Sequence, residues 1–282
     1  MRSWKGKPII PTTLSAEEIG LYFSSEIIQR KRDFENFGDL LSKELVEKIS
    51  GRPVRWRGYD VPNILFGIGS ILKKTSGPAT IWGSGIKAWE DGMSDQLEIK
   101  ALRGRFSYLS AIRNGNTIQD PLPFGDPGLL APKYYRSEVK RTFKLGVVPH
   151  FVDLDEITER FADDGTLVVD VRKPVQEVIQ DINSCEMTLC SSLHGIIISH
   201  AYGIPSLWAE FSDKITGDGV KYLDYFSSVN IPFYHPFDGR KRDDELVNRA
   251  LQFIEENQPF NRPQADINPI QQALLDAFPY PC

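Results

Sequence analysis

Short apolar runs alternate with amphipathic stretches along the chain, and this pattern predicts an α/β fold. The first half contains four apolar runs with the length of buried strands, at residues 20–23, 63–68, 79–82 and 99–102. From Leu40 onwards the apolar positions recur at helical spacing instead, and Gly51 ends this predicted helix. Two of the strands run into Gly/Ser-rich turns, the form expected where parallel strands end in ligand-facing loops.

The same alternation restarts after residue 136. Strands are predicted at 143–150, 166–171 and 187–190, and helices at 175–182, 193–201 and 243–257. Residues 113–136 are rich in proline and glycine, which is typical of a connection between lobes. The sequence therefore predicts two Rossmann-like lobes with parallel sheets, 1–135 and 136–282, with a cleft between them. The tail after Pro259 is expected to pack across the lobes.

Composition and charge argue against several classes of protein. The 282 residues are 41% hydrophobic and 25% charged, as in an ordinary globular protein, and the net charge is −5. A dedicated nucleic-acid binder needs a broad basic surface, so nucleic acid is not expected as a partner. No apolar stretch approaches the roughly 20 residues that cross a bilayer, and no signal-peptide core follows the basic N-terminus. We therefore expect a cytoplasmic protein.

The sequence shows neither metal nor nucleotide motifs. Cys185, Cys190 and Cys282 lack the spacing of a zinc site, and the first two are expected to be small buried residues. The glycine-rich turns make no complete dinucleotide fingerprint, and no Walker-type Gly-Lys-Ser/Thr motif occurs. We expect no metal and no NAD or ATP cofactor.

The strongest candidate site lies where a strand turns into a helix, at Ser191, Ser192, His194 and Gly195. Free backbone N–H groups and the helix dipole favour an anion at such a turn. His194 can donate to a phosphate or act as acid and base, and the missing side chain of Gly195 permits close ligand approach. The structural alternative makes Ser191 a simple N-cap and His194 a satisfied, partly buried residue.

The other histidines differ in their positions. His150 follows a predicted strand, where parallel sheets place ligands, and with His194 it can supply the proton transfers of one site. The alternative is a half-buried histidine after a proline. His200 lies in the apolar part of its helix and is expected to be structural, and His235 carries no signal.

Polar side chains at turns provide further candidates. Asn36 and Asp39 suit hydroxyl recognition or base catalysis on a polyol, or else an Asx turn and a helix cap. Arg103 and Arg105 either grip a carboxylate or phosphate or form a solvated pair. Asp126, between Gly125 and Pro127, has the position of a turn former. The basic clusters 30–32 and 240–242 are interpreted as solvated faces, with a membrane-surface contact as the alternative.

Seven segments, taken in order, resemble the polysaccharide pyruvyl transferase family: residues 36–39, 67–70, 82–85, 103–104, 125–127, 149–153 and 191–195. The resemblance implies a two-lobed fold like that of GT-B glycosyltransferases. It also implies an enzyme that moves pyruvyl from phosphoenolpyruvate onto two hydroxyls of a sugar and makes a cyclic ketal. Its products would be bacterial exopolysaccharides or related surface glycans.

The resemblance also implies roles for single residues. His194 would bind the donor phosphate or protonate the donor methylene carbon, Arg103 would hold the carboxylate or phosphate, and His150 would exchange protons with the attacking hydroxyl. The remaining donor-binding residues are Ser191, Ser192 and Gly195, and the acceptor-binding residues are Asn36, Asp39 and Asp126. Some members have an arginine where this chain has Ser192, and the candidates to replace it are Arg105, Lys133 and Arg136.

Two rival functions stay open. A nucleotide-sugar glycosyltransferase is one, because a helix N-terminus at an interlobe cleft binds a diphosphate equally well. A glycan-binding protein without catalysis is the other. If the sugar acceptor is lipid-linked, the protein is expected at the inner face of the cytoplasmic membrane.

Overall fold

The computed structural model describes residues 15, 17–162, 165–241 and 245–280. Its first lobe is built on five parallel strands: β1 (Ile19–Tyr22), β2 (Val54–Trp56), β3 (Ile64–Phe66), β4 (Ala79–Trp82) and β5 (Leu97–Ala101). Their order in the sheet is β2-β1-β3-β4-β5. The direction of winding reverses between β1 and β3, and parallel α/β sheets bind ligands outside the carboxyl ends of the strands at such a reversal.

The second lobe repeats this design. Its five parallel strands are β6 (Phe143–Val148), β7 (Thr166–Val168), β8 (Cys185–Cys190), β9 (Ser206–Glu210) and β10 (Phe237–Asp238). Their order is β10-β9-β8-β6-β7, so the winding reverses between β6 and β8. The chain thus has two Rossmann-like lobes, each with its own reversal point.

Helices connect and cover the strands. The first lobe contains α1 (Glu26–Arg30), α2 (Phe37–Ser50), α3 (Arg105–Arg113) and α4 (Ala131–Tyr134). The second half contains α5 (Leu154–Arg160), α6 (Val175–Asn183), α7 (Leu193–Ala201), α8 (Val220–Ser228), α9 (Leu246–Glu256) and α10 (Ile267–Asp276). A 3₁₀ turn over Pro127–Leu130 precedes α4.

Helix α7 is buried along its length. All nine of its residues are buried, and a mostly apolar helix of this kind belongs in an interior. On one side Gly195 packs on Val148 of the second sheet, and on the other Ile197 meets Gly128 of the 3₁₀ turn. The N-terminus of α7 is therefore held rigidly at the junction of the two lobes.

The C-terminal helix crosses back to the first lobe. The carbonyl of Leu274 in α10 accepts a hydrogen bond from the indole N–H of Trp82 in β4 at 2.8 Å. Gln271 of the same helix donates to the carbonyl of Leu129 at 2.6 Å. The lobe boundary that the sequence predicts near residue 135 falls between α4 and β6, and as a division between domains it stays a prediction.

Most of the strands and helices that the sequence predicts are present in both lobes. The sequence pattern missed β2, β9, β10, α1, α4, α5, α8 and α10. In α8 the reason is visible, because Lys221 and Asp224 are buried among its apolar residues and interrupt the apolar period. Cys185 and Cys190 are buried, as predicted, and Cys282 lies outside the described residues.

Candidate active site

A cleft of about 510 Å³ opens where the reversal points of the two sheets face each other. The first lobe contributes the segments that follow β1, β3 and β4, and the second contributes those that follow β6, β8 and β9. The polar side chains on its walls are Tyr22, Ser24, Glu26, Arg30, Arg32, Asn36, Asp39, Ser70, Lys73, Lys74, Lys87, His150, Ser192, His194, Lys214, Thr216 and Lys221. Seven of them are cationic and two are carboxylates, so the cleft favours an anion although the chain is acidic overall.

His194 projects from the first turn of α7 toward the first lobe. Its ring lies against Gly38 in α2, so closely that a Cβ at that position would overlap the imidazole. Gly38 therefore lets the histidine of one lobe pass over a helix of the other. The Asn-Phe-Gly-Asp segment contained this signal, which the sequence analysis did not use.

Asp126 lies beneath His194. The carboxyl is fully buried, and one of its oxygens caps the 3₁₀ turn by accepting the N–H of Gly128 at 2.9 Å. The other oxygen is 3.9 Å from Nε2 of His194, and neither of these two atoms has a hydrogen-bond partner among the described residues. Asp126 does not line the cleft, so direct contact with an acceptor, the predicted role, does not fit its position.

Burial changes the proton affinities of this pair. It raises the pKa of Asp126 to about 6 and lowers the pKa of His194 to about 3, where the charges of Arg103 and Lys221 add to the effect. Near neutral pH an ionised carboxylate therefore faces a neutral imidazole. A carboxylate 3.9 Å from the ring nitrogen is placed to stabilise an imidazolium when the ring takes up a proton.

The neighbours of His194 position the turn. Ser192, not Ser191, is the N-cap of α7, and its hydroxyl oxygen accepts the N–H of Gly195 at 3.4 Å. The Ser191 hydroxyl accepts the N–H of His150 at 3.0 Å, which ties the two histidine segments together. The space beside Gly195 is filled by Val148 and Cys190, so this glycine serves packing and leaves no room for a ligand, contrary to the prediction.

His150 lines the same cleft as His194, and the use of both histidines by one site stays a prediction. Its Nδ1 accepts the N–H of Val152 at 3.4 Å, so a neutral ring carries its proton on Nε2. Burial lowers the pKa of His150 to about 3, with further lowering from Lys221 and Lys87.

Asn36 and Asp39 also lie on the cleft wall. The amide of Asn36 donates to the Asp39 carboxylate at 2.8 Å and makes no cap on α2. Burial raises the pKa of Asp39 to about 7, and the charges of Glu26 and Glu35 act in the same direction. A carboxyl with a pKa near neutrality is suited to accept a proton from a hydroxyl.

Arg103 is placed differently from the prediction. Its side chain is fully buried, and its Nε donates to Asp224 in α8 at 2.9 Å. The two other nitrogens donate to the hydroxyl of Ser70 at 2.7 Å and the carbonyl of Ile86 at 2.6 Å. Arg103 is not among the residues that line the cleft, and it reaches the cleft only through Ser70.

His200 is structural, as predicted, since its ring nitrogens contact the Tyr225 hydroxyl at 3.0 Å and the carbonyl of Ser206 at 3.3 Å. The candidates for the missing cation, Arg105, Lys133 and Arg136, are exposed and lie away from the cleft. The basic cluster 30–32 is a cleft wall and not a detached solvated face, because Arg30 and Arg32 line the cleft and both pair with Glu26.

Lys87 and Lys221 line the cleft, although neither is among the predicted site residues. Lys87 follows the Gly/Ser-rich turn after β4, and Lys221 is the second residue of α8. A lysine in a chain with 33 basic residues gives no local signal, and only the fold brings these two to the cleft.

Within the described ranges, no group of three or more His, Cys, Asp or Glu side chains has the arrangement of a metal site. In the same ranges no helix combines the length and the apolar character needed to span a membrane.

Comparison with known proteins identifies the family. The profile of the family described as polysaccharide pyruvyl transferase matches residues 51–211, more than half of the chain. An uncharacterized protein of Acanthamoeba polyphaga mimivirus is 29% identical over 70% of this chain and 71% of its own length.

The succinoglycan biosynthesis protein ExoV of Rhizobium meliloti is 24% identical over 60% of this chain and 55% of its own length. No solved structure matches the chain significantly. The family match covers the strands that carry both the His150 and the His194 segments, and the chain therefore belongs to the polysaccharide pyruvyl transferase family, as an enzyme of that class.

Proposed function

We propose that the protein transfers pyruvyl from phosphoenolpyruvate to two hydroxyls of one sugar and forms a cyclic ketal. The observation that carries the proposal is His194, which stands between the partnerless Asp126 oxygen and a cleft with seven cationic side chains. A small donor with a phosphate and a carboxylate matches that charge. No resident cofactor is needed, because phosphoenolpyruvate is itself the co-substrate.

The donor is proposed to bind with its phosphate at the N-terminus of α7. The N–H groups of the first helical turn and the positive end of the dipole favour an anion there. Burial is the main cause of the low pKa of His194, and the charges of Arg103 and Lys221 lower it further. The negative charge of the bound donor offsets the contribution of these cations and so raises the pKa. The imidazole then becomes able to carry the proton that the reaction needs.

The reaction balances with groups that line the cleft. His194 gives a proton to the methylene carbon of the donor, and the central carbon becomes electrophilic. A sugar hydroxyl adds to that carbon and loses its proton, the bond from carbon to the phosphate oxygen breaks, and phosphate leaves. The second hydroxyl then closes the ketal. Of the two hydroxyl protons, one replaces the proton that His194 gave to the methyl group and the other leaves with phosphate.

Asp39 and His150 are proposed to handle the hydroxyl protons on the acceptor side. Both line the cleft, and the raised pKa of Asp39 lets its carboxylate take a proton near neutral pH. Asn36 orients that carboxylate through its hydrogen bond. Ser191 acts indirectly, by holding the His150 backbone.

The acceptor is proposed to be a sugar of a surface polysaccharide precursor, since ExoV is a succinoglycan biosynthesis protein. We further propose that the lobes have the relative arrangement of GT-B enzymes. If the acceptor is lipid-linked, the protein works at the inner face of the cytoplasmic membrane, and it should co-sediment with vesicles that carry the acceptor.

To test this, the protein is incubated with phosphoenolpyruvate and a panel of sugars and oligosaccharides. Phosphate release and the mass of the sugar are then measured. The proposal expects phosphate and a pyruvyl ketal in equal amounts. Turnover of a nucleotide sugar without use of phosphoenolpyruvate would instead establish a glycosyltransferase. Sugar binding with no turnover of either donor would establish a glycan-binding protein.

A further inference from the structure

Lys221 is a buried cation without a carboxylate partner. Its residue exposure is 9%, and it makes no ion pair or side-chain hydrogen bond within the described part of the chain. Its ammonium lies 4.8 Å from the centre of the Tyr222 ring and faces the cleft that His194 also lines. Burial is expensive for an unpaired ammonium, and here it lowers the pKa of Lys221 to about 7, with help from Lys87 and Arg103.

Lys87 approaches from the other lobe. Its side chain also lines the cleft and has no carboxylate partner in the described ranges, and burial lowers its pKa. Contacts of the backbone fix its position. Gly217, which has a φ of 123°, packs on the carbonyl of Lys87, and the Asp218 carboxylate accepts the N–H of Trp89 at 2.7 Å. The loop that leads into α8 thus ties the segments of the two lysines together.

Most other cations of the cleft form ion pairs with carboxylates of the chain, and two of them share one carboxylate. Arg30 and Arg32 pair with Glu26, Lys73 pairs with Asp91, and Lys214 pairs with Asp153 and Glu156. Lys74 is exposed and lies over the Tyr59 ring. Lys87 and Lys221 are therefore the enclosed cations of the cleft that make no ion pair among the described residues, and the Asp39 carboxylate on the same wall acts on both through its charge.

The charge of Lys221 acts on both histidines of the cleft. All four side chains, the two lysines and the two histidines, line the same cleft. Beyond the effect of burial, Lys221 lowers the pKa of both His150 and His194, and Lys87 lowers that of His150. The cleft adjoins the N-terminus of α7. A dianionic group placed there meets the helix N–H groups on one side and two ammonium groups on the other.

We propose that Lys87 and Lys221 form a clamp, one lysine from each lobe, that binds the phosphoryl group of the donor. This inference rests on the proposed function for the identity of the donor, but not for the anion site itself.

The test measures binding of phosphoenolpyruvate, and separately of inorganic phosphate, to the full chain by calorimetry. Lys87→Met and Lys221→Met are each expected to weaken binding of phosphoenolpyruvate about 10- to 100-fold, because each removes a hydrogen bond to a charged group. Lys221→Arg should retain more affinity than Lys221→Met. The matched control is Lys133→Met, which changes an exposed lysine away from the cleft and should bind as the wild type does.

The melting temperature without ligand adds a second readout. Lys221→Met should melt above the wild type, because it removes an unpaired buried ammonium, whereas a lysine needed for the fold would give a lower melting temperature. If Lys221→Met fails to fold, Lys87→Met in its surface loop still tests the clamp.

Unchanged affinity for both anions in Lys87→Met or in a folded Lys221→Met overturns the clamp and leaves the proposed function intact. Binding of phosphate that depends on the lysines, with no binding of phosphoenolpyruvate, supports the clamp and removes the proposed donor. Absence of binding of either anion to the wild type overturns both.

Discussion

Two charged residues one turn apart on α8 have opposite environments. Asp224 is fully buried and fully satisfied, since it accepts hydrogen bonds from Arg103 at 2.9 Å and from the backbone and hydroxyl of Ser107 at 2.8 and 2.5 Å. Lys221 is almost as buried, but it faces the cleft with no carboxylate beside it in the described residues.

This difference separates charges that hold the fold from charges that serve a ligand. The Arg103 and Asp224 pair joins the two lobes, and Gly104 permits the close approach because a Cβ there would overlap the Asp224 carbonyl. A buried charge that the chain leaves unbalanced lowers stability, and binding of an anion removes that cost. The family resemblance predicted that Arg103 contacts the ligand. In the structure its guanidinium donates instead to Asp224, Ser70 and Ile86, so Arg103 holds the fold around the cleft.

The largest effect on activity is expected at His194, which belongs to the residues that face the cleft. His194→Ala removes the proposed acid and should lower kcat/KM by about 10² to 10⁴ without loss of stability. Steady-state kinetics and a denaturation curve measure both quantities. His235→Ala is the control, because it changes an exposed histidine outside the cleft. Near-normal activity in His194→Ala would remove this residue from the mechanism.

Among the charges that hold the fold, Arg103 is the one to remove, and Arg103→Met should act mainly on stability. It leaves the Asp224 carboxylate buried without its cation, so the free energy of unfolding should fall by about 3 to 5 kcal/mol. Replacing both residues with apolar ones should restore much of that loss, which urea denaturation can measure. If Arg103→Met is as stable as the wild type but binds no donor, the assignment of this pair to the fold is wrong.

Asp126 lies between the two cases, because one carboxylate oxygen caps a turn and the other faces His194. Asp126→Asn keeps the cap, since an amide oxygen can also accept the Gly128 N–H, but it removes the charge that stabilises the imidazolium. We expect kcat to fall by at least about tenfold, with little change in melting temperature. Wild-type kcat in this variant would show that Asp126 is only a turn former.

A smaller effect is expected from pH through Asp39. Its carboxyl is neutral below its pKa of about 7 and ionised above it, so a base at this position makes kcat/KM rise as the pH increases through that range. Burial and the charges of Glu26 and Glu35 raise this pKa, whereas the hydrogen bond from Asn36 and the charge of Arg30 lower it. Asp39→Asn should lower the rate and abolish this part of the pH profile. A variant that keeps the same profile would assign it to another group.

The sequence predicted what depends on local pattern. The strand and helix periods located His150 and residues 191–195 at the ends of β6 and β8, and the parallel topology then brings both to the cleft. Contacts between residues far apart in the chain could not be predicted from the local pattern. Nothing near Arg103 indicates a partner 121 positions later in the chain, and the lysines of the clamp are separated by the whole connection between lobes.

Glycines were similarly ambiguous. Gly195 and Gly38 both stand next to candidate site residues, and without a side chain either one can admit a ligand, a neighbouring strand or a side chain. In the structure Gly195 admits β6 and Gly38 admits the His194 ring. Only packing decides between these alternatives, and packing is not encoded in any short segment.

The most direct test of the account is a crystal structure of the protein soaked with phosphoenolpyruvate. The account predicts the donor in the interlobe cleft, with its phosphate oxygens about 2.7 to 3.2 Å from the Lys221 ammonium and the N–H groups at the start of α7. The methylene carbon should face the imidazole of His194. A donor bound elsewhere, or a His194 ring closed off from the cleft, would contradict the central claim.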